Sequence, residues 1–255
     1  MLHYPHDYGA LYDPNGGLLR ADRALNAYHT LFRRYGGVLR DGEHVTSVTP
    51  GARVTVTTSR DQYVTRSVVL CCGPWSADIL KPLGLHLPLQ PVRITVCYWR
   101  EKDQGSHSAD KLPTFFDEKC CGGYDIYGLP SEEYPGCVKL CLHHGPTIHP
   151  DTRDATDDIW VTRLLSDYIT KHFPGLDPTP AVIETCIYTN TPDRHFILDT
   201  HPMWKNVVIG AGFSGHGFKL APVVGKVLSA LAQGKTPSYD LTPFTIRRFS
   251  SLSRL

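Results

Sequence analysis

Apolar positions along the chain predict three longer helices and a short one at Trp75–Leu80. In residues 24–35 they recur at intervals of three and four, which places them on one face of a helix that ends at Gly36-Gly37. A second helix is predicted after Thr156-Asp157-Asp158, which supplies a cap and an acidic first turn, and Pro174-Gly175 ends it. A third helix is predicted from about Phe218 to Leu231.

Other segments have the patterns of strands. Residues 45–48 and 53–58 alternate in polarity around a turn at Pro50-Gly51, which predicts a hairpin. The apolar run at 67–72 is typical of a buried strand that is covered on both faces. Residues 206–209 form a second apolar strand of this kind.

The middle of the chain is different, because short β-rich runs follow one another there and predict an antiparallel sheet. These runs are residues 91–100, 124–129, 138–142 and 182–188. We therefore predict an α/β (α+β) chain in which an antiparallel unit is inserted between two segments of mixed helices and strands.

Composition narrows the class of protein. The chain has 255 residues, of which 41% are hydrophobic and 10% aromatic, and its formal net charge is +1. These values fit a folded core and not a disordered chain. A nucleic-acid footprint needs a basic stripe, and a membrane span needs about 18 consecutive apolar residues. The sequence has neither, so we expect no nucleic acid and no membrane as partner.

The eight cysteines predict neither a disulfide framework nor a metal site. They include two adjacent pairs and no C-x-x-C motif, and His143, His144 and His149 lack the spacing of metal ligands. We expect no secretory leader, and therefore reduced, mostly buried thiols in an intracellular protein.

A glycine-rich turn follows the second apolar strand. Residues 210–215 match G-x-G-x-x-G, but no strand with a ribose-binding acid follows, which argues against a dinucleotide site. The glycines and the helix N-terminus could still accept an anionic ligand, with Lys219 in the first turn. The alternative is a tight strand–helix turn with a solvent-facing Lys219.

Two longer motifs are more specific than this glycine pattern. Thr185–Asp199 and Asn206–Lys219 resemble the sarcosine oxidase / L-pipecolate oxidase family, flavoenzymes of the D-amino-acid-oxidase-like class. The resemblance covers essentially the whole chain and includes the peroxisomal branch of the family. It continues through Tyr98–Glu101, Ile126–Pro130, Glu133–Gly136 and Pro237–Phe244.

The resemblance implies an incomplete Rossmann-like FAD-binding domain with an inserted antiparallel-sheet substrate domain. Residues 1–90 would form the partial FAD-binding domain and residues 91–188 the substrate domain. At residues 189–245 the chain would return to the FAD-binding domain, and residues 246–255 would be a tail with a peroxisomal signal. The family begins with a βαβ unit that has its own G-x-G-x-x-G, and it uses an N-terminal arginine on the substrate. We expect an N-terminally truncated form, because this sequence starts after both.

The resemblance also implies roles for particular residues. Cys186 would link covalently to FAD, and Lys139 would lie near flavin N5 and stabilise charge during O₂ reduction. His143 would lie near the substrate amine, and the adjacent His144 would point to the opposite face of a strand. The alternatives are a buried strand cysteine for Cys186 and an exposed strand residue for Lys139.

Further residues are implied around the cofactor and substrate. Tyr127 and Tyr188 would line the substrate pocket, although core packing is the alternative for both. Lys219 would lie near the flavin and the substrate carboxylate, and Gly215, His216 and Gly217 would contact the flavin.

The implied reaction oxidises the C–N bond of sarcosine or L-pipecolate and reduces O₂ to hydrogen peroxide. Ser253-Arg254-Leu255 resembles a peroxisomal address, so the expected partners are the amino-acid substrate, O₂ and the peroxisomal import receptor. We expect a monomer. The alternatives are a catalytically inactive truncated isoform or homologue with unpaired strand edges, and a dehydrogenase that passes electrons to a carrier protein.

Overall fold

The structure, a computed structural model, describes residues 3–4, 6, 8–155 and 158–249. The chain divides into two compact units. The antiparallel unit comprises Met1–Leu18 and Val92–Ile187, and the α/β unit comprises Leu19–Pro91 and Tyr188–Leu255.

In the described part of the chain, the regular elements are four α-helices and eleven strands. The helices are α1 (Ala21–Arg34), α2 (Ser76–Leu80), α3 (Ile159–His172) and α4 (Ala221–Ala232). The strands are β1 (Val45–Thr49), β2 (Val54–Thr58), β3 (Gln62–Thr65), β4 (Val68–Leu70), β5 (Gln90–Glu101), β6 (Phe115–Cys121), β7 (Tyr124–Tyr134), β8 (Cys137–Leu142), β9 (Leu176–Asn190), β10 (Ile197–Thr200) and β11 (Val207–Ala211).

The antiparallel unit is built on a five-stranded sheet in the order β6-β7-β8-β5-β9. Helix α3 packs on one face, where Val138, Leu140 and Leu142 of β8 meet Leu165 and Ile169. Since side chains alternate along a strand, Lys139 and Cys141 point to the opposite face. The predicted antiparallel sheet is therefore confirmed, and the core lies between the sheet and α3.

The first residues of the chain contact this unit. The backbone N–H of His3 donates to the carbonyl of His172, and the hydroxyls of Tyr4 and Tyr168 lie 2.6 Å apart. Met1–Leu18 accordingly groups with the antiparallel unit. The boundaries predicted from the sequence had instead placed residues 1–90 together in the partial FAD-binding domain.

The residue before α3 does not cap the helix as predicted. The side chain of Asp158 makes no capping hydrogen bond and instead contacts the buried Arg93 guanidinium and the Thr95 hydroxyl. A buried guanidinium needs a counter-charge, and that need outweighs capping here. Thr156 and Asp157, which were predicted to share this cap, lie outside the described residues.

The α/β unit contains two three-stranded sheets, one of which is β1-β2-β3, all antiparallel. In the other, β11 pairs antiparallel with β10 and parallel with β4. Helix α4 packs on β10 and β11 through Val224, Val227 and Leu228. The opposite face of this sheet packs against β1 and β2.

The prediction that residues 67–72 form a strand covered on both faces is wrong. Strand β4 is three residues long and lies at the edge of its sheet, and Val69 is 39% exposed. The reason is that Val69 faces the α4 side, while α4 packs mainly over β10 and β11.

Helix α1 forms where the periodicity predicts it, but none of its residues is buried. The apolar side chains that define its stripe, and those beside it, are 43–84% exposed. They are Leu19, Leu25, Tyr28, Leu31, Phe32 and Tyr35. An apolar stripe normally packs against a core, so the described residues leave this face uncovered.

The predicted tail begins later than residue 246. Ile246 and Phe249 are buried in the core of the α/β unit, and the backbone N–H of Ile246 donates to Asp199 at 2.8 Å. Burial of two apolar side chains therefore fixes residues 246–249 to the unit. The proposed address Ser253-Arg254-Leu255 lies outside the described residues.

The cysteines are free thiols, but most of them are not buried, which corrects the prediction. Cys97, Cys137 and Cys141 are buried, whereas Cys71 and Cys186 are exposed. The other three, Cys72, Cys120 and Cys121, are partly exposed. Burial raises the pKa of Cys97 to about 12 and that of Cys141 to about 11.

Candidate active site

The face of the antiparallel sheet opposite α3 carries four of the predicted site residues. We call it the lysine face and define it by the predicted residues Tyr127, Lys139, His143 and Cys186 together with Tyr98 and Glu184. Tyr127 is paired with Cys141 across β7 and β8, and Lys139 is paired with Tyr98 across β8 and β5. Residues paired in this way project to the same side of a sheet.

His143 joins this face directly after β8. Its ring lies edge-on to the ring of Tyr127 at 6.0 Å and to that of Phe116 at 5.7 Å. His144 instead stacks on Tyr124 at 4.6 Å, and Tyr124 packs against the core on the α3 side. The two histidines therefore point to opposite faces, as the strand pattern predicts.

Lys139 is held in an ion pair. Its Nζ donates to both carboxylate oxygens of Glu133, at 2.9 and 3.2 Å, and lies 5.3 Å from the centre of the Tyr98 ring. The Lys139 side chain is only 18% exposed, whereas that of Glu133 is 46% exposed. A half-buried, oriented cation of this kind can stabilise negative charge that develops beside it.

Two tyrosines connect this pair to a second carboxylate. The Tyr98 hydroxyl donates to Glu133, and Glu184 Oε2 lies 3.4 Å from the same hydroxyl. The Tyr134 hydroxyl donates to Glu184, and its ring meets the Tyr98 ring edge-on at 4.6 Å. Burial, followed by the hydrogen bond to Glu133, raises the pKa of Tyr98, so the phenol stays protonated and remains a donor.

Sequence reasoning gave no role to Glu133, Glu184, Tyr98 or Tyr134. Pro135-Gly136, with Gly136 at φ +75°, is a type II turn signal that places β7 and β8 side by side. Counting back from the Tyr134–Cys137 pair would put Glu133 opposite Val138, on the core face. A register shift between Leu129 and Tyr134 places Glu133 on the lysine face instead. The local sequence pattern does not predict this shift.

Cys186 lies on β9 two residues after Glu184, so strand alternation places it on the lysine face. Thr185, between them, donates to Asp154 on the other side. The Cys186 thiol is exposed, which excludes the buried strand cysteine that was the alternative for this position.

The glycine-rich turn belongs to the α/β unit and is tightly constrained. Gly212, Ser214 and Gly215 all have positive φ, of +68°, +48° and +79°. The Ser214 hydroxyl donates to the Gly212 carbonyl and accepts from the Thr191 N–H, and Ser214 is 1% exposed. A Cβ at Gly212 would lie 2.4 Å from Thr191 Cγ2, so the turn requires glycine there.

The remaining predicted residues lie in or beside this turn. His216 packs on Phe196 with its ring 4.9 Å away, and its Nδ1 lies 3.0 Å from the Ser214 carbonyl oxygen. Tyr188 is half-buried and precedes Thr189, whose carbonyl accepts the Ser214 N–H. Gly217 also requires glycine, because a Cβ there would lie 2.6 Å from Phe213 Cβ.

Lys219 does not lie in the first turn of the helix, as was predicted. It occupies a 3₁₀ turn at Phe218–Leu220, and α4 begins at Ala221. Its side chain is exposed. The structure thus forms two groups of predicted residues: Tyr127, Lys139, His143 and Cys186 in one unit, and Tyr188, Gly215, His216, Gly217 and Lys219 in the other.

Two other classes of site are absent from the described residues. No group of three or more His, Cys, Asp or Glu side chains there could hold a metal ion. Nor does any described helix have the length and apolar composition that crossing a bilayer requires.

The chain matches known proteins along most of its length. A family model described as FAD dependent oxidoreductase matches residues 3–231. Peroxisomal sarcosine oxidase of Homo sapiens is 49% identical over an alignment of 257 positions that covers 99% of this chain and 66% of the relative. Monomeric sarcosine oxidase of Bacillus sp. (strain B-0618) is 35% identical over 96% of this chain and 63% of the relative.

A solved structure gives the same picture of the fold. NikD, described as an unusual amino acid oxidase essential for nikkomycin biosynthesis, is 28% identical with a TM-score of 0.74, covering 87% of this chain and 58% of that chain. The mixed α/β fold with an antiparallel sheet domain is therefore shared. The chain spans 63–66% of the length of the two curated relatives named above.

Proposed function

Since the chain belongs to the family of FAD dependent oxidoreductases, we propose that it oxidises the C–N bond of a secondary or cyclic amino acid, sarcosine or L-pipecolate, with O₂ as the electron acceptor. The products are an imine, which hydrolyses or cyclises, and hydrogen peroxide. The observation that carries this proposal is the lysine face, where an oriented ammonium, an imidazole, a phenol and an accessible thiol share one side of one sheet.

The residues of this face fit a flavin ring. The exposed Cys186 thiol is accessible to an electrophilic carbon of the ring, and the Lys139 cation suits the electron-rich edge of a reduced ring. FAD, when bound, supplies the two-electron acceptor for the substrate's C–N bond. Cys186 would hold the ring through a thioether, which fixes its orientation. In the α/β unit, Gly215, His216, Gly217 and Lys219 are the residues to which the family resemblance assigns flavin contacts.

Other side chains would bind the substrate and stabilise the charge that forms on O₂. Tyr127 lines the pocket, and His143 accepts a hydrogen bond from the substrate amine at a ring nitrogen. Tyr188 and Lys219 belong to the other unit, where the family resemblance implies that Tyr188 would contact the substrate and Lys219 would supply a positive charge for its carboxylate. Lys139 stabilises the negative charge that O₂ acquires with its first electron, because a fixed cation needs no reorganisation at that moment.

We further propose that the protein acts in peroxisomes as a monomer, imported through Ser253-Arg254-Leu255. Hydrogen peroxide production gives this location a chemical rationale. The relatives from Homo sapiens and Mus musculus are named as peroxisomal.

A second candidate is a non-catalytic form of the same fold. The exposed apolar stripe of α1 and the edge position of β4 favour it, because regions with few buried apolar contacts open locally at low free energy and would hold a cofactor weakly. This form would retain the lysine face without turnover.

Attachment of the cofactor separates the two candidates. The purified chain is precipitated with acid, and the absorption spectrum and peptide masses of the pellet are measured. We expect a yellow pellet with one FAD mass on the peptide containing Cys186, and its loss in Cys186→Ser. Cys71→Ser is the matched control, because Cys71 is the other exposed thiol. A colourless protein supports the second candidate.

Turnover is measured with sarcosine and L-pipecolate as substrates. Peroxide release with either one supports the oxidase. A flavin-containing protein that reduces a dye without forming peroxide contradicts it and indicates a dehydrogenase.

A further inference from the structure

Glu133 reaches Lys139 only because strand β7 bulges beside it. Leu129 pairs with Lys139 and Tyr134 pairs with Cys137, so four residues of β7, Pro130 to Glu133, face the single residue Val138. A bulge re-aims the side chains that it contains. In this one, the carboxylate of Glu133 meets Lys139 on the lysine face, 2.9 Å from Nζ.

The carboxylate is itself held from the other side. Tyr98, which is 2% exposed, lies opposite Lys139 on β5 and donates its hydroxyl to Glu133. The Tyr98 ring is packed edge-on by Tyr134, whose hydroxyl is bound to Glu184. Glu133 is therefore fixed between a buried phenol and the ammonium, and the Lys139 ammonium is fixed between Glu133 and the Tyr98 ring.

A lysine whose ammonium stabilises developing charge must be held in one position by contacts of this kind. Its four-carbon stem has many rotamers, and its ammonium is a point charge without the planar fork of arginine. Electrostatic stabilisation of developing charge depends on donors that are already in place. Because the Glu133 side chain is 46% exposed, solvent screens the pair and it adds little to stability, so its effect is geometric.

We infer that Glu133 is a positioning residue that holds the Lys139 ammonium over the Tyr98 ring and thereby sets the rate of O₂ reduction. This inference rests on the proposed oxidase function. In that reaction, O₂ takes two electrons from the reduced cofactor and two protons to give hydrogen peroxide. Lys139 acts on the charge that the first electron creates, so Glu133 affects this half of the reaction and not the oxidation of the substrate.

The test compares Glu133→Gln, Lys139→Met and the double variant with wild type. Glu133→Gln keeps the size of the side chain and removes its charge. Stopped-flow absorbance gives the rate of reduction by substrate and, separately, the rate of reoxidation by O₂. We expect Glu133→Gln to slow reoxidation roughly tenfold and to change reduction by less than about twofold. In the Lys139→Met background, Glu133→Gln should add less than about twofold, because the two residues act as a unit.

Glu118→Gln is the matched control, since Glu118 is an exposed carboxylate on β6 of the same sheet. It should match wild type in both rates, and the thermal midpoint of Glu133→Gln should stay within about 2 °C of wild type. If Glu133→Gln slows both half-reactions equally, or if the two substitutions are additive, the inference is wrong while the oxidase function stands. A wild-type chain that neither holds FAD nor oxidises substrate overturns both.

A second measurement needs no cofactor. Reductive methylation with formaldehyde, read by peptide mass spectrometry, reports how freely each lysine amine reacts. We expect Lys139 to react several-fold faster in Glu133→Gln than in wild type, while Lys119, exposed on the same sheet, keeps its rate. Equal rates at Lys139 in the two proteins would show that Glu133 does not hold it, which overturns the inference.

Discussion

Arg248 attaches the end of the described chain to the turn that follows β9. Its Nε and Nη2 donate to the two carboxylate oxygens of Asp193, at 2.7 and 3.3 Å, and Nη2 also donates to the His195 carbonyl. The guanidinium, aided by the backbone N–H of His195, lowers the pKa of Asp193 from 3.8 to about 2. The pair helps to keep Phe249, over whose ring Arg248 lies, against the core of its unit.

This pair predicts a specific pH dependence. A lowered pKa means that Asp193 stabilises the fold above its unfolded value near 4 and loses that contribution as the pH falls towards 2. We expect Asp193→Asn to lower the thermal midpoint at pH 6 and to approach the wild-type midpoint as the pH falls through this window. Asp41→Asn, an exposed carboxyl in the same unit, is the control. Curves for wild type and Asp193→Asn that stay parallel down to the lowest pH would contradict the assignment.

At the scale of elements, α1 and α3 have similar helical periodicity and different surroundings. Leu165 and Ile169 of α3 are fully buried against the sheet, while Leu31 and Phe32 of α1 are 43% and 48% exposed. Apolar area removed from water is what stabilises a helix in a protein, so the two helices contribute unequally.

Paired truncations measure this difference. Leu165→Ala should cost about 2–5 kcal/mol, because it removes buried methyl groups and leaves a cavity. Leu31→Ala should cost no more than about 0.5 kcal/mol, because its side chain is exposed and alanine favours helix equally well. Urea unfolding followed by circular dichroism gives both values. A cost for Leu31→Ala comparable to that of Leu165→Ala would mean that the α1 stripe is covered in solution.

At the scale of the whole molecule, the proposed peroxisomal location would depend on Ser253-Arg254-Leu255 with a free terminal carboxylate. We expect a fluorescent protein fused ahead of the chain to enter peroxisomes, and deletion of Ser253-Arg254-Leu255 to leave it in the cytosol. Adding one alanine after Leu255 is the sharper control, because it keeps the tripeptide and moves the terminal carboxylate. Fluorescence microscopy with a peroxisomal marker reads the result, and unchanged import after the deletion refutes this address.

Local patterns were sufficient for many of the helices and strands, and the structure brings four of the predicted site residues to one face of a sheet. Periodicity predicted α1, the β1–β2 hairpin and the antiparallel middle section, because side-chain period depends on the backbone alone. The family resemblance picked out Tyr127, Lys139, His143 and Cys186, and strand alternation then accounts for their shared face. No local pattern, however, gave the bulge that brings Glu133 to Lys139.

The sequence by itself determined the sheet-and-helix makeup, the family and the motif residues, since these depend on short-range spacing and composition. Only the tertiary structure decided which apolar surfaces are covered. The apolar face of α3 is buried and that of α1 is exposed, and Ile246 and Phe249 are buried whereas Val69 is exposed. Coverage and ion pairing depend on contacts between residues far apart in the chain, as between Asp158 and Arg93 or Arg248 and Asp193. Those contacts are set by how elements pack together, which no stretch of sequence specifies on its own.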